Sequence, residues 1–204
     1  MVIGITGGVG CGKSTVLNIL EQDFGCYIIE ADKVAHLLME PKNPAYIEIV
    51  HFFGTDILSA DTSIDRKKLG EIVFHDSEKL SLLNSIVHPA VKTYIVNQIT
   101  KILQSDKNAV IVIEAALLLE DHYDEICDEI WYIYTKEDVR IQRLRESRGY
   151  TEDKTRSIMK NQMSEEFFNK HCDKKVDNSN GIENTRKQIN DFFANKCGGN
   201  ICQT

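Results

Sequence analysis

The sequence has no excess of positive charge. It carries 24 Lys and Arg against 31 Asp and Glu, a formal net charge of -7. That excludes the broad basic face with which a protein grips nucleic acid regardless of sequence, so a polyanionic ligand would have to be held by a local device. It also lacks any Cys-x-x-Cys pair and any Cys/His spacing of the zinc type among its six cysteines, Cys11, Cys26, Cys127, Cys172, Cys197 and Cys202. They read as free thiols of a reducing cytosol, and a cytoplasmic location is expected. No apolar run is long enough for a membrane-spanning helix: Ala109 to Leu119 is short and is broken by Glu114. Met1 leads straight into a strand-like Val2 to Thr6, leaving no charged segment followed by a separate apolar one, so no signal peptide is expected. Internal repeats and low-complexity blocks are missing too. What remains is an ordinary globular composition, 42% hydrophobic and 27% charged, with length for one sizeable core and an insertion or two.

Short apolar segments alternate with longer helical patterns. Val2–Thr6, Cys26–Glu30, Ala109–Ile113, Glu129–Tyr134 and, more weakly, Lys174–Val176 read as strands, which predicts an α/β chain with a parallel sheet covered by helices. From Lys33 to Gln104 no comparable strand occurs. Val87, Val91, Tyr94, Ile95, Ile99 and Ile102 recur there at three- and four-residue steps, and His88-Pro89 reads as a helix start, so residues 33–104 are expected to form a helical insertion. A second insertion is expected over 140–169 as a mobile lid. One helix carries Arg140, Arg143, Arg145 and Arg148 and ends at Gly149; the next begins at Thr151 with Glu152-Asp153 in its first turn. The core then comprises 1–32, 105–139 and 170–195, with a last amphipathic helix over Gly181–Phe193 and a frayed tail over 196–204.

The most specific motif is Gly7-Gly8-Val9-Gly10-Cys11-Gly12-Lys13-Ser14, which satisfies G-x-x-x-x-G-K-[ST] between an apolar strand and a helical run. Glycines let successive backbone N–H groups curl around phosphates, and the helix N-terminus adds partial positive charge. Gly8, Gly10, Cys11, Gly12, Lys13, Ser14 and Thr15 are therefore the candidate nucleotide-binding residues, with Lys13 on phosphate oxygens and the Ser14 hydroxyl as the Mg²⁺ ligand. Cys11 reads as a small filler, although a thiol near a helix N-terminus can acquire a lowered pKa.

Several features outside the loop admit two readings. Thr135-Lys136-Glu137-Asp138 matches a guanine-reading pattern, but no D-x-x-G switch follows the third strand, where Glu114-Ala115-Ala116-Leu117 stands; a helix cap with Thr135 at N-cap is the favoured reading. Asp32 closes Glu30-Ala31-Asp32 at the end of the second strand. There it is either a carboxylate that takes the proton of an attacking hydroxyl or the N-cap of a helix from Lys33 to Met39. Arg140, Arg143 and Arg148 are either a solvated charged face or the local cationic device, and for Arg143 the functional reading is preferred, since charge spreads over a transferring phosphoryl group.

In this order the landmarks resemble the dephospho-CoA kinase family, from Ile3 to about Asn178. The likeness runs through Gly4-Ile5-Thr6 and the glycine-rich loop, Ala31-Asp32, Phe53-Gly54, Asp65-Arg66 with Leu69 and Phe74, Asn84 with His88-Pro89, Leu117-Leu118 with Glu120, Arg143-Leu144, Arg148, Gln162 and Asp177-Asn178. The resemblance implies a P-loop kinase fold with a five-stranded parallel sheet, a helical CoA-binding insertion and a lid. It implies ATP and Mg²⁺ as cofactors and transfer of the γ-phosphoryl group to the ribose 3′-hydroxyl of dephospho-CoA. It makes Asp32 the catalytic base, with Lys13 and Arg143 on the phosphoryl group and Arg140 and Arg148 beside the nucleotide. Thr6, Asp32, Arg66, His88, Pro89 and Leu117 fall to the acceptor, and the segment around Asp177-Asn178 to the adenine of ATP. The sequence departs from the family pattern at Glu30, at Ala116, where a proline is usual, and at Ile158, where many relatives carry an arginine, so the lid's charge rests on Arg140, Arg143 and Arg148. A monomer without nucleic-acid or membrane partners is expected. The alternatives are a P-loop kinase for a nucleoside, nucleotide or small alcohol, and a nucleotide-dependent switch.

Overall fold

A computed structural model of the chain describes residues 1–196. The expected tail from residue 197 on lies outside the described residues. Strands β1 (Val2–Thr6), β2 (Tyr27–Glu30), β3 (Ile111–Glu114), β4 (Glu129–Tyr134) and β5 (Lys174–Asp177) form one parallel sheet in the order β2-β3-β1-β4-β5. β1 is at its centre, pairing with β3 through Val2↔Ile111 and with β4 through Ile3↔Glu129. Every residue of β1 is buried, as expected for a strand covered on both faces. The chain separates into two compact units, residues 1–28 with 109 onward, and residues 29–108.

In the first unit, alternation along β4 sends side chains to opposite faces. Trp131 and Ile133 join Val16, Leu17, Ile19 and Leu20 of α1 (Lys13–Phe24) and Ile189 of α9 (Ile182–Lys196) in the main core cluster. Phe192 meets Trp131 edge-on at 5.2 Å, and Phe193 stacks on Phe24 at 4.5 Å. On the other face Tyr132 stacks on Phe168 of α8 (Glu165–His171) at 4.5 Å and 12°. Each fully buried large apolar side chain contributes about 1.5–3 kcal/mol, so this core fixes the strand ends from which the loops project. α6 (Glu137–Arg148) ends on Gly149 in the left-handed conformation, and α7 (Glu152–Lys160) starts at Thr151, whose side chain accepts from the Lys154 N–H, as the sequence predicts.

The second unit holds α2 (Ala31–Leu38), α3 (Pro44–Phe53), α4 (Arg66–Phe74) and α5 (Ser77–Ser105). α5 packs against the other three and buries Ile86, Val91 and Ile95. The helix start expected at His88-Pro89 is wrong: Pro89 lies inside α5, which begins twelve residues before it, at Ser77. Its cap is Asp76, whose carboxylate accepts from the N–H groups of Glu78 at 3.1 Å and Lys79 at 3.0 Å. Proline removes one hydrogen bond of the helical ladder, but three-sided packing carries the helix through it. His88 is thus a mid-helix residue and no cap.

Candidate active site

β1 delivers the chain to the loop Gly7–Gly12 at the C-terminal edge of the sheet, where open parallel sheets collect ligands, and α1 begins at Lys13. The loop is held by its carbonyl groups. The Cys11 carbonyl accepts from Thr135 Oγ1 at 2.9 Å, Asn178 Nδ2 at 2.9 Å and Arg143 Nη1 at 3.4 Å. Pulling that carbonyl toward the protein turns the Gly12 N–H of the same peptide the opposite way, at the start of α1 where a phosphate is favoured. Gly12 has φ 82°, and a Cβ there would lie 2.4 Å from Asn178 Nδ2, so both conformation and space demand glycine. Asn178 is itself fixed, since the Thr185 hydroxyl donates to its Oδ1 at 2.8 Å.

Three cationic side chains converge on this loop. Lys13 Nζ donates to the Gly7 carbonyl at 3.0 Å and pairs with the buried Glu114 carboxylate at 3.4 Å. Arg143 Nη2 donates to the Asn178 carbonyl at 2.8 Å. Arg140, one turn earlier on α6, donates from Nε to the Val9 carbonyl at 2.8 Å and from Nη2 to Gln162 Oε1 at 2.9 Å, and Gln162 Oε1 also accepts the Val9 N–H at 3.2 Å. Burial pulls Arg140 below its ordinary pKa, yet a guanidinium stays charged at neutral pH. The arrangement places fixed positive charge on the glycine-rich loop.

The dephospho-CoA kinase family description matches residues 1–184. The dephospho-CoA kinase of Carboxydothermus hydrogenoformans is 42% identical over 188 residues, 92% of this chain and 90% of that protein. The chain belongs to the dephospho-CoA kinase family. The enzyme of that name from Aquifex aeolicus is 39% identical over 94% of this chain and 95% of its own length. Among solved structures, dephospho-CoA kinase from Campylobacter jejuni superposes with a TM-score of 0.73 at 25% identity over 98% of each chain. The fold extends to a Thermus thermophilus protein, at a TM-score of 0.79 and 24% identity over 96% of this chain and 97% of that one. These neighbours bear out the P-loop kinase fold that the resemblance implies.

Against this family frame, the structure brings together Gly8, Gly10, Cys11, Gly12, Lys13, Arg140 and Arg143 on the loop, with Ser14 and Thr15 in the first turn of α1. Thr6 is buried at the end of β1, Leu117 is 47% exposed after β3, and Arg148 is the exposed last residue of α6. Asp32, Arg66, His88 and Pro89 belong to the second unit: Asp32 is exposed in the first turn of α2, Arg66 opens α4, and the other two are in α5.

Two readings need correction. Thr135 is no N-cap: Lys136 holds that position, and the buried Thr135 hydroxyl donates to the Cys11 carbonyl instead. Nor does Asp32 cap α2, which starts at Ala31 with Glu30 at N-cap. The Cys11 thiol is raised above its ordinary pKa, because burial outweighs the nearby Lys13 and Arg140 charges, and the filler role stands. The Glu114–Lys13 pair and the true partners of Thr135 and Gln162 escaped the motif reading because they lie far apart in sequence; Gln162 stood there only as a family landmark without a role, and Glu114 only as an acid ending an apolar strand.

Proposed function

We propose that this chain transfers the γ-phosphoryl group of ATP to the ribose 3′-hydroxyl of dephospho-CoA, giving CoA and ADP. The observation that carries the proposal is the convergence of Lys13, Arg140 and Arg143 on one glycine-rich loop, in a chain of this family. In the step, the 3′-oxygen forms the new bond to the γ-phosphorus, the bond from that phosphorus to the β,γ-bridging oxygen breaks, and ADP departs. Asp32 takes the hydroxyl proton. Lys13 and Arg143 stabilise charge on the three equatorial oxygens, the effect expected of preorganised donors in a site that excludes water. Arg140 and Arg148 attend the nucleotide, while Thr6, Arg66, His88, Pro89 and Leu117 shape the acceptor site.

Among the described residues no group of three or more His, Cys, Asp or Glu side chains could hold a metal. That fits Mg²⁺, which keeps waters and phosphate oxygens in its shell and asks little of the protein. The exposed Ser14 hydroxyl at the start of α1 is the ligand proposed. When bound, the ion neutralises developing charge on the phosphates. Residues 33–104 are proposed to receive the CoA substrate and 140–169 to close as a lid that limits hydrolysis, in a cytoplasmic monomer.

Purified protein should convert ATP and dephospho-CoA to ADP and CoA, identified by mass, with adenosine and AMP as competing acceptors. Selective CoA formation supports the assignment. Preferred transfer to adenosine or AMP would retain a P-loop kinase and reject this acceptor, and tight ATP binding without transfer to any of them would point to a switch.

A further inference from the structure

Both polar groups of one peptide residue at the tip of the glycine-rich loop are held from outside the loop. The Val9 carbonyl accepts from Arg140 Nε at 2.8 Å, and the Val9 N–H donates to Gln162 Oε1 at 3.2 Å. The ring closes because Arg140 Nη2 donates to that same Gln162 oxygen at 2.9 Å. Two segments thus meet on Val9: α6, and the turn between α7 and α8 that carries Gln162. Gly8 makes room for them, since a Cβ there would lie 2.4 Å from Arg140 Nη2 and 2.7 Å from Gln162 Oε1.

We infer that Gln162 is a positioning residue for phosphoryl transfer: its side-chain oxygen locks Arg140 and the Val9 peptide into one unit, so that the loop tip and the α6–α8 segment move together. The deduction rests on the phosphotransfer reading given above. It follows from what each partner can do alone. A guanidinium has five donors and no acceptor, so Arg140 can hold the Val9 carbonyl but cannot satisfy its N–H. An uncharged side-chain oxygen can accept from the peptide N–H and the guanidinium at once without introducing a negative charge beside the phosphate loop. Glutamine supplies this acceptor where glutamate would add an anion facing the incoming nucleotide. Once the tip is fixed, the neighbouring N–H groups keep one orientation, and a geometry maintained before the substrate arrives lowers the barrier more than it tightens ground-state binding.

The test compares Gln162→Leu, Arg140→Ala, the double variant and Gln162→Glu in the full chain, with thermal melting as a check on folding. Transfer to dephospho-CoA, hydrolysis of ATP without acceptor, ATP affinity by calorimetry and amide hydrogen exchange over residues 7–13 and 159–165 are measured. Gln162→Leu should lower kcat about 10- to 100-fold with ATP affinity changed by less than about 3-fold, a split expected of an interaction that serves the transition state. Exchange should quicken in both segments together. The double variant should be no worse than Arg140→Ala, because the two residues act as one unit. Gln162→Glu should restore slow exchange while weakening ATP binding. Independent loss in the two single variants, adding in the double, overturns the inference, as does faster exchange confined to residues 159–165. Exchange and acceptor-free hydrolysis do not depend on dephospho-CoA, so a wild-type protein inactive on that acceptor would refute the proposed substrate and still leave the lock open to both tests.

Discussion

Arg143 and Asp32 stand in opposite surroundings, one tied down and one exposed. Arg143 is held against the loop by the Asn178 and Cys11 carbonyls before any nucleotide arrives. Arg143→Ala should therefore lower kcat by about 10²–10³ with a much smaller change in ATP affinity, the size found when one preorganised donor is removed. Equal losses in both, measured by steady-state kinetics and calorimetry, would reduce Arg143 to a ground-state ATP contact. Asp32 is exposed, one residue into α2, where a carboxylate is favourable to the helix dipole whatever else it does. Asp32→Asn separates the roles. Loss of a general base costs about 10²–10⁴ in turnover, whereas loss of a dipole partner shows only in melting temperature. Turnover within a few-fold of wild type would remove Asp32 from the mechanism. The loop residues were legible because glycine, lysine and serine at fixed spacing have one physical use between a strand and a helix. Thr135 was read only as a cap and Gln162 only as a family landmark: a hydroxyl or amide has no chemistry until its partner is known, and Cys11 is 124 and Val9 153 residues away.

At the scale of elements, local punctuation was read well where the cap was the strongest nearby signal. Gly149 and Thr151 mark the joint between α6 and α7 because a left-handed glycine and a capping threonine leave little else for that stretch to be. α5 shows the opposite. Pro89 is a conspicuous breaker, and it hid the true start at Asp76-Ser77, since no local rule says that packing on three neighbours can carry a helix through a proline. The structure makes Asp76 the residue to test. Asp76→Ala removes the acceptor of two helix N–H groups and should destabilise the protein, read as a lower urea midpoint at unchanged slope. ATP affinity should not move, because Asp76 caps a helix and is not among the residues proposed to hold the nucleotide. An unchanged midpoint would mean that tertiary packing alone sets the start of α5.

For the whole molecule the governing quantities are charge and burial. A chain with a net charge of -7 nonetheless sets three cations, Lys13, Arg140 and Arg143, on one glycine-rich loop, and it is this local charge that suits a polyphosphate. Its thiols follow the same logic in reverse. Burial pushes Cys26, Cys127 and Cys172 up to about 12 from an ordinary value of 9.0. Between pH 9 and about 12 the unfolded chain releases these protons while the folded chain keeps them, so the unfolded state binds fewer protons and stability must fall as pH rises through that window. Below pH 9 both states hold the protons, and the three thiols contribute no slope. Urea midpoints should accordingly be insensitive to these cysteines up to about pH 8.5 and decline toward pH 10.5, on the linkage argument alone. Replacing all three with alanine isolates them from Tyr132, which burial also raises, to about 12. The variant loses some packing at every pH, but its midpoint should fall less steeply between those two values than that of the natural chain. Parallel curves would show that the thiols ionise as freely in the folded protein as in the unfolded one, and would contradict the burial that raises them.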